Sequence, residues 1–126
     1  MIAILAIPFG IANADIMKES TKKFTVSGSS TEATARSYID WNRSTTVVTN
    51  VSTIYSGTNS KVTAINNTSV NGIQAPPLEV SNTTIGVAHA TRSMTYSGSS
   101  VYEISGSHSV YVGGVYKGGA TTYTWW

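Results

Sequence analysis

STTVVTNVSTIY, residues 44–55, is the stretch that decides the fold class. In an extended chain Val47, Val51 and Tyr55 fall on one face, and Val48 and Ile54 on the other. The threonines between them are β-branched and favour extended backbone. Reading outward, strand-like runs recur at 24–26, 33–39, 61–65, 85–96, 101–104, 110–112 and 121–126. Turn signals separate them: Ser27-Gly28, Ser56-Gly57, Asn71-Gly72, Ser97-Gly98, Ser105-Gly106, Gly113-Gly114 and Gly118-Gly119. Glycine there supplies the positive φ of tight hairpin turns. Such spacing, with no helical period between the runs, predicts an all-β fold: an antiparallel β-sandwich, or a small barrel, of about seven to nine short strands. Ile16–Lys23 is the one later stretch with the make-up of a short helix, and the β-rich sequence after it argues against one. Pro76-Pro77 cannot donate to a ladder and marks a loop or the rim of an edge strand.

The composition agrees. At 126 residues the chain is long enough for one domain and short of two. It has no cysteine, so neither a disulfide framework nor a thiolate site is available. Eight Lys/Arg against six Asp/Glu leave a formal charge of +2, spread along the chain, and this excludes a nucleic-acid-binding signature. Only 11% of residues are charged, while Ser and Thr number 18 each, a balance that disfavours coiled coils, helical bundles and long α/β enzymes. A membrane β-barrel is disfavoured too, because outward positions are too often Thr, Ser or Asn and the strand runs look short.

MIAILAIPFGIANA, residues 1–14, carries no charge and differs from everything after it. It reads as the apolar region and cleavage site of a signal peptide, with Ala12-Asn13-Ala14 as the small-x-small pattern and Asp15 as the mature N-terminus. The basic residues that usually begin such a segment are missing before Ile2. Pro8 and Gly10 interrupt the run, and a membrane-spanning helix needs about 20 apolar residues. The expectation is a single secreted, extracellular domain over residues 15–126 that contacts membrane at most peripherally.

Candidate chemistry is sparse. His89 and His108 are the only imidazoles, and nothing in their spacing to Glu79 or Glu103 suggests a metal site. His89 shares its face with Val87 and Thr91; His108 sits beside a Ser-Gly turn signal and is expected to be solvated. Asp40, Glu79 and Glu103, with Asp15, Glu19 and Glu32, are the carboxylates from which a glycoside-hydrolysing pair would have to come, and no motif singles any out. No G-x-S-x-G elbow accompanies the serines. The expectation is a non-enzyme with no cofactor and no metal. Five N-x-S/T sequons occur, at Asn42, Asn50, Asn66, Asn67 and Asn82, a mild enrichment over chance.

The aromatic residues say more. Six of the eleven in residues 15–126 lie in the last 25 positions: Tyr102, Tyr111, Tyr116, Tyr123, Trp125 and Trp126. Rings interleaved with Ser, Thr and Gly offer apolar faces with polar edges, which suits sugars or amphipathic interfaces. Trp41, in the polar stretch Asp40–Arg43, is a further candidate. The expected ligand-binding residues are Trp41, Tyr111, Tyr116 and Trp126. Gly118-Gly119 predicts a hairpin that makes 120–126 a paired strand. Counting aromatics by alternation turns Tyr123 and Trp125 toward the core and leaves Trp126 at the outer face.

The apolar leader, the Ser/Thr/Gly/Tyr richness and the aromatic C-terminus together resemble small exported all-β proteins of Gram-positive bacteria, including the cysteine-free bacteriocins of the lactococcin 972 type. The resemblance is one of composition, and this chain is longer and lacks an early Trp. Two readings follow. The first is an extracellular binding or surface-interaction module for a glycan or cell-wall polymer. The alternative, which the resemblance implies, is a secreted antibacterial or membrane-active protein.

Overall fold

A computed structural model describes residues 15–126; the signal peptide read from residues 1–14 lies outside the described residues. Nine strands and no helix make up the described chain: β1 (Asp15–Phe24), β2 (Ala33–Trp41), β3 (Thr46–Ile54), β4 (Ser60–Val70), β5 (Ile73–Gln74), β6 (Leu78–Asn82), β7 (Val87–Thr95), β8 (Tyr102–Val112) and β9 (Val115–Trp125). All pairings are antiparallel. One sheet has the order β1-β2-β3-β7; in the other β5 and β6 border β4, followed by β8 and β9. Residues 16–23, the helix candidate, are strand β1.

The strands are longer than the sequence signals imply, and glycine is the reason. Ser105-Gly106 reads as a turn, yet β8 passes straight through it. A Cβ on Gly106 would stand 2.5 Å from Thr122 Oγ1 and 2.9 Å from Val51 Cγ1, so the residue marks close approach of the two sheets. Gly118-Gly119 likewise lies inside β9, where a Cβ on Gly118 would stand 2.2 Å from the Thr25 carbonyl oxygen. The hairpin turn is Gly113-Gly114, with φ of 59° and 81°. The expected hairpin between 115–117 and 120–126 is therefore one strand, paired with β8 throughout. With β4, β8 and β9 at 11 residues each, strand length is no argument against a membrane barrel; the described strands form two separate sheets.

The two inner faces share one core. Ala33, Ala35, Ile39, Val47, Val51, Tyr55, Ala88 and Ala90 come from the first sheet and its margins. Val62, Ala64, Tyr102, Ile104 and Val110 come from the second. The reading of residues 44–55 holds: Val47 and Val51 are fully buried, while Val48 and Ile54 are half-buried on the other face.

Among these apolar groups lies a hydrogen-bonded interior. The Asn66 amide donates to the Thr49 carbonyl and hydroxyl oxygens and to the Ala90 carbonyl. Thr49 and Thr68 hydroxyls meet at 2.8 Å, and Thr68 donates to Asn66 Oδ1. A second bridge runs through His108, which is 4% exposed and not solvated as its sequence neighbours suggest. The Thr53 hydroxyl gives its proton to the Thr63 carbonyl, so His108 Nδ1 must donate to Thr53 Oγ1 at 2.9 Å. Nε2 then accepts from the Thr122 hydroxyl at 2.8 Å. Burial dominates its titration and holds the imidazole down to about 4; a backbone hydrogen bond at Ser52 opposes this, and the nearby Lys22 charge adds to it. The ring is neutral at pH 7 and ties β3 to β8 and β9.

Candidate functional site

Strand alternation on β9 decides what faces solvent. Thr122 packs inward against His108, so the inward set is Thr122, Thr124 and Trp126, and the outward set is Thr121, Tyr123 and Trp125. This reverses the assignment made by counting aromatics. Trp125 is 56% exposed and Tyr123 53%. The count fails because this core takes threonine wherever a buried polar partner waits. His108 is that partner for Thr122.

The outer face of the five-stranded sheet is consequently a row of rings and hydroxyls. Register places Trp125 beside Glu103, Tyr123 beside Ser105, Thr121 beside Ser107, Gly119 beside Ser109 and Tyr116 beside Tyr111. From position 103 to 111 the row runs about 27 Å along β8. Tyr116 is 57% exposed and meets the half-buried Tyr111 edge-on, with ring centres 5.7 Å apart. On the next strand Lys61 stands opposite Tyr111, its Nζ 4.5 Å from the ring centre. At the far end Tyr123 Oη donates to Glu103, whose carboxylate pushes the phenol up, and Ser69 donates to the same carboxylate at 3.2 Å.

The four residues expected to bind ligand fall into two pairs at opposite ends of β8. Tyr111 and Tyr116 remain on the outer face. Trp41 and Trp126 meet at 5.6 Å in a half-buried cluster, where Trp41 also stacks on Tyr96 at 4.5 Å and Trp126 on Tyr102 at 5.9 Å. The indole of Trp41 donates to the Ser44 carbonyl. Trp126 N and O pair with Tyr102 O and N, so the last residue is stitched in on both sides. These two tryptophans close one end of the core, and Tyr123 and Trp125 take their place on the accessible face.

The first sheet also has a polar outer face. Thr91 donates to Asn50 Oδ1, the Asn50 amide donates to Ser52 Oγ, and Ser52 Oγ shares a hydrogen bond of 2.7 Å with Nδ1 of His89. Burial, and then the Arg36 charge, hold the titration of His89 below the ordinary value. Arg36 pairs with Glu19 at 2.8 Å and lies over the Tyr38 ring. Ser52 is only 2% exposed, so the Ser–His contact is a cross-strand rivet between β3 and β7 and not a presented nucleophile. Asp40 stands beside Val48 on the outer side of this sheet, while Glu79 and Glu103 stand on the outer side of the other, so the core separates Asp40 from both. Among the described residues no three His, Cys, Asp or Glu gather as metal ligands. Of the sequon asparagines, Asn50 and Asn66 are buried in hydrogen bonds.

No protein-family model, curated protein or solved structure matches the chain.

Proposed function

We propose that residues 15–126 form a secreted β-sandwich that works by binding a glycan or cell-wall polymer, with residues 1–14 as the signal peptide that exports it. The observation that carries this reading is the row of Tyr116, Tyr123 and Trp125, more than half exposed, on one sheet face lined with Ser and Thr. Sugar rings present apolar faces and hydroxyl edges, and aromatic side chains set among hydroxyls match both at once. An apolar surface meant only to be tolerated would not gather its largest rings into a line. The binding set is Tyr111, Tyr116, Tyr123 and Trp125. Bacterial origin and an extracellular site fit the same reading.

The test is co-sedimentation with insoluble polysaccharides: peptidoglycan sacculi, chitin and cellulose. Wild type should sediment with at least one of them, and the triple variant Tyr116→Ala/Tyr123→Ala/Trp125→Ala should stay in the supernatant. Failure of wild type to bind any of them, or retention of the triple variant, overturns the reading.

A second reading, a membrane-active secreted protein, is favoured by one observation. All three tryptophans sit at one end of the fold, near the exposed Val101 and Ile73. Tryptophan prefers the bilayer interface. Dye release from anionic vesicles separates the two readings, since a glycan binder releases none.

A further inference from the structure

At the Tyr111 end the outer face opens into a cleft of about 340 Å³, lined by Asn59, Ser60, Lys61, Thr83, Tyr111 and Gly114. Three chain segments wall it, and each is held by its own local chemistry. Asn59 sits in the left-handed region at φ 52°, and its carbonyl accepts from the Gly113 amide at 3.0 Å, which ties the approach to β4 to the β8–β9 turn. Ser60 gives its hydroxyl proton to the Gly57 carbonyl. On the third side Asn82 Oδ1 accepts from the Thr84 and Ile85 amides, a side-chain-to-backbone turn that presents Thr83. The walls are therefore formed before any ligand arrives.

The charge in this cleft has one sign. Lys61 is its only ionic residue, and none of the six lining residues is a carboxylate. Among the described residues Lys61 makes no ion pair; the Tyr111 ring alone holds its ammonium. A ring face orients an ammonium without neutralising it, so its proton donors stay available to an anion. Asn59 and Thr83, both exposed, add neutral donors on the opposing walls. The volume lies at the small end of the roughly 300–1,000 Å³ typical of ligand sites, a size for a single substituted sugar unit.

We propose that this cleft receives an acidic substituent of the bound polymer, a carboxylate or a phosphate or sulfate ester, with Lys61 as its cation and the Tyr116–Trp125 row carrying the rest of the chain. The inference rests on the polymer-binding reading and narrows it to an anionic polysaccharide. Aromatic stacking is indifferent to charge, whereas a charge-assisted hydrogen bond is not.

Matched polymers in affinity gels test it, at near-physiological salt to suppress general attraction. Polygalacturonate is compared with its methyl ester, and dextran sulfate with dextran. Wild type should prefer the acidic member of at least one pair about tenfold, and which pair responds identifies carboxylate or ester anion. Lys61→Gln should bring that ratio to about one, and Lys61→Arg should retain it. Lys23→Gln, which removes the same charge from the opposite sheet, should keep the preference. Equal affinity for both members of each pair, or a preference that survives Lys61→Gln, overturns the acidic subsite while polymer binding stands. Sedimentation with an insoluble polysaccharide but no retardation in any of these gels overturns the acidic subsite alone; failure in both experiments takes the polymer reading with it.

Discussion

The two faces of β9 invert the usual order of a half-buried strand. Its inward residues include Thr122 and Thr124, and its outward ones Tyr123 and Trp125. An ordinary amphipathic strand turns its large apolar groups in and its hydroxyls out. Here the inner face is chosen for small volume and hydrogen-bonding capacity, because the sheets approach closely enough at Gly106 to exclude a methyl group. Rings that do not fit inside are not dispersed at random; they line one outer face. The comparison teaches that buried hydroxyls and exposed rings can alternate along a single strand, so substitutions on its two faces should differ sharply in their effect on stability.

The largest effect is expected where the inner face is tightest. Gly106→Ala would drive its Cβ to 2.8 Å from His108 Nε2 and 2.5 Å from Thr122 Oγ1, overpacking the core and disturbing the bridge together. Urea denaturation should show a loss of about 3 kcal/mol. No loss would mean that the sheets are not held so close.

Acid attacks the same site. The unfolded imidazole protonates near 6.5 but the buried His108 only at about 4, so the unfolded state gains protons first as pH falls. Stability carried by the neutral ring is complete above about pH 6.5 and drains away on descent toward pH 4, by about 2–3 kcal/mol. Denaturation midpoints in that window should slope for wild type and flatten for His108→Gln; parallel slopes would remove His108 from the account.

Trp126→Ala comes next. It deletes a ring that stacks on Tyr96 and Tyr102 and lies tilted against Trp41, and the expected loss is about 2 kcal/mol, short of a full core deletion because the ring is half-buried. Trp125→Ala, on the outer face, should cost under about 0.5 kcal/mol in the same experiment. Equal losses at the two positions would erase the distinction between the faces of β9.

Much of the fold is legible in the sequence, and the exceptions share one cause. Alternation in residues 44–55 identifies a strand and its faces because that segment buries ordinary valines. The same logic fails on residues 120–126, where the buried position belongs to Thr122 and the deciding partner, His108, lies 14 residues away. Gly106 and Gly118 read as turn glycines because local sequence does not record distant neighbours; Gly106 is required by side chains of β3 and β9, and Gly118 by the Thr25 backbone just after β1. Asn66 looks like a glycosylation acceptor and is a core amide, again through partners on other strands. For the candidate site, composition points to the C-terminal aromatics, and the fold sets Tyr111 and Tyr116 on the outer face. It gathers Trp41 and Trp126 at the end of the core, a contact the sequence does not record because it depends on segments that meet only after folding.

The most direct test of the outer face is retardation of Trp125→Ala in a gel containing the polymer that binds wild type. The variant should migrate nearly as freely as in polymer-free gel while its thermal melting matches wild type. Undiminished retardation of a folded Trp125→Ala would contradict the assignment of this face as the binding surface.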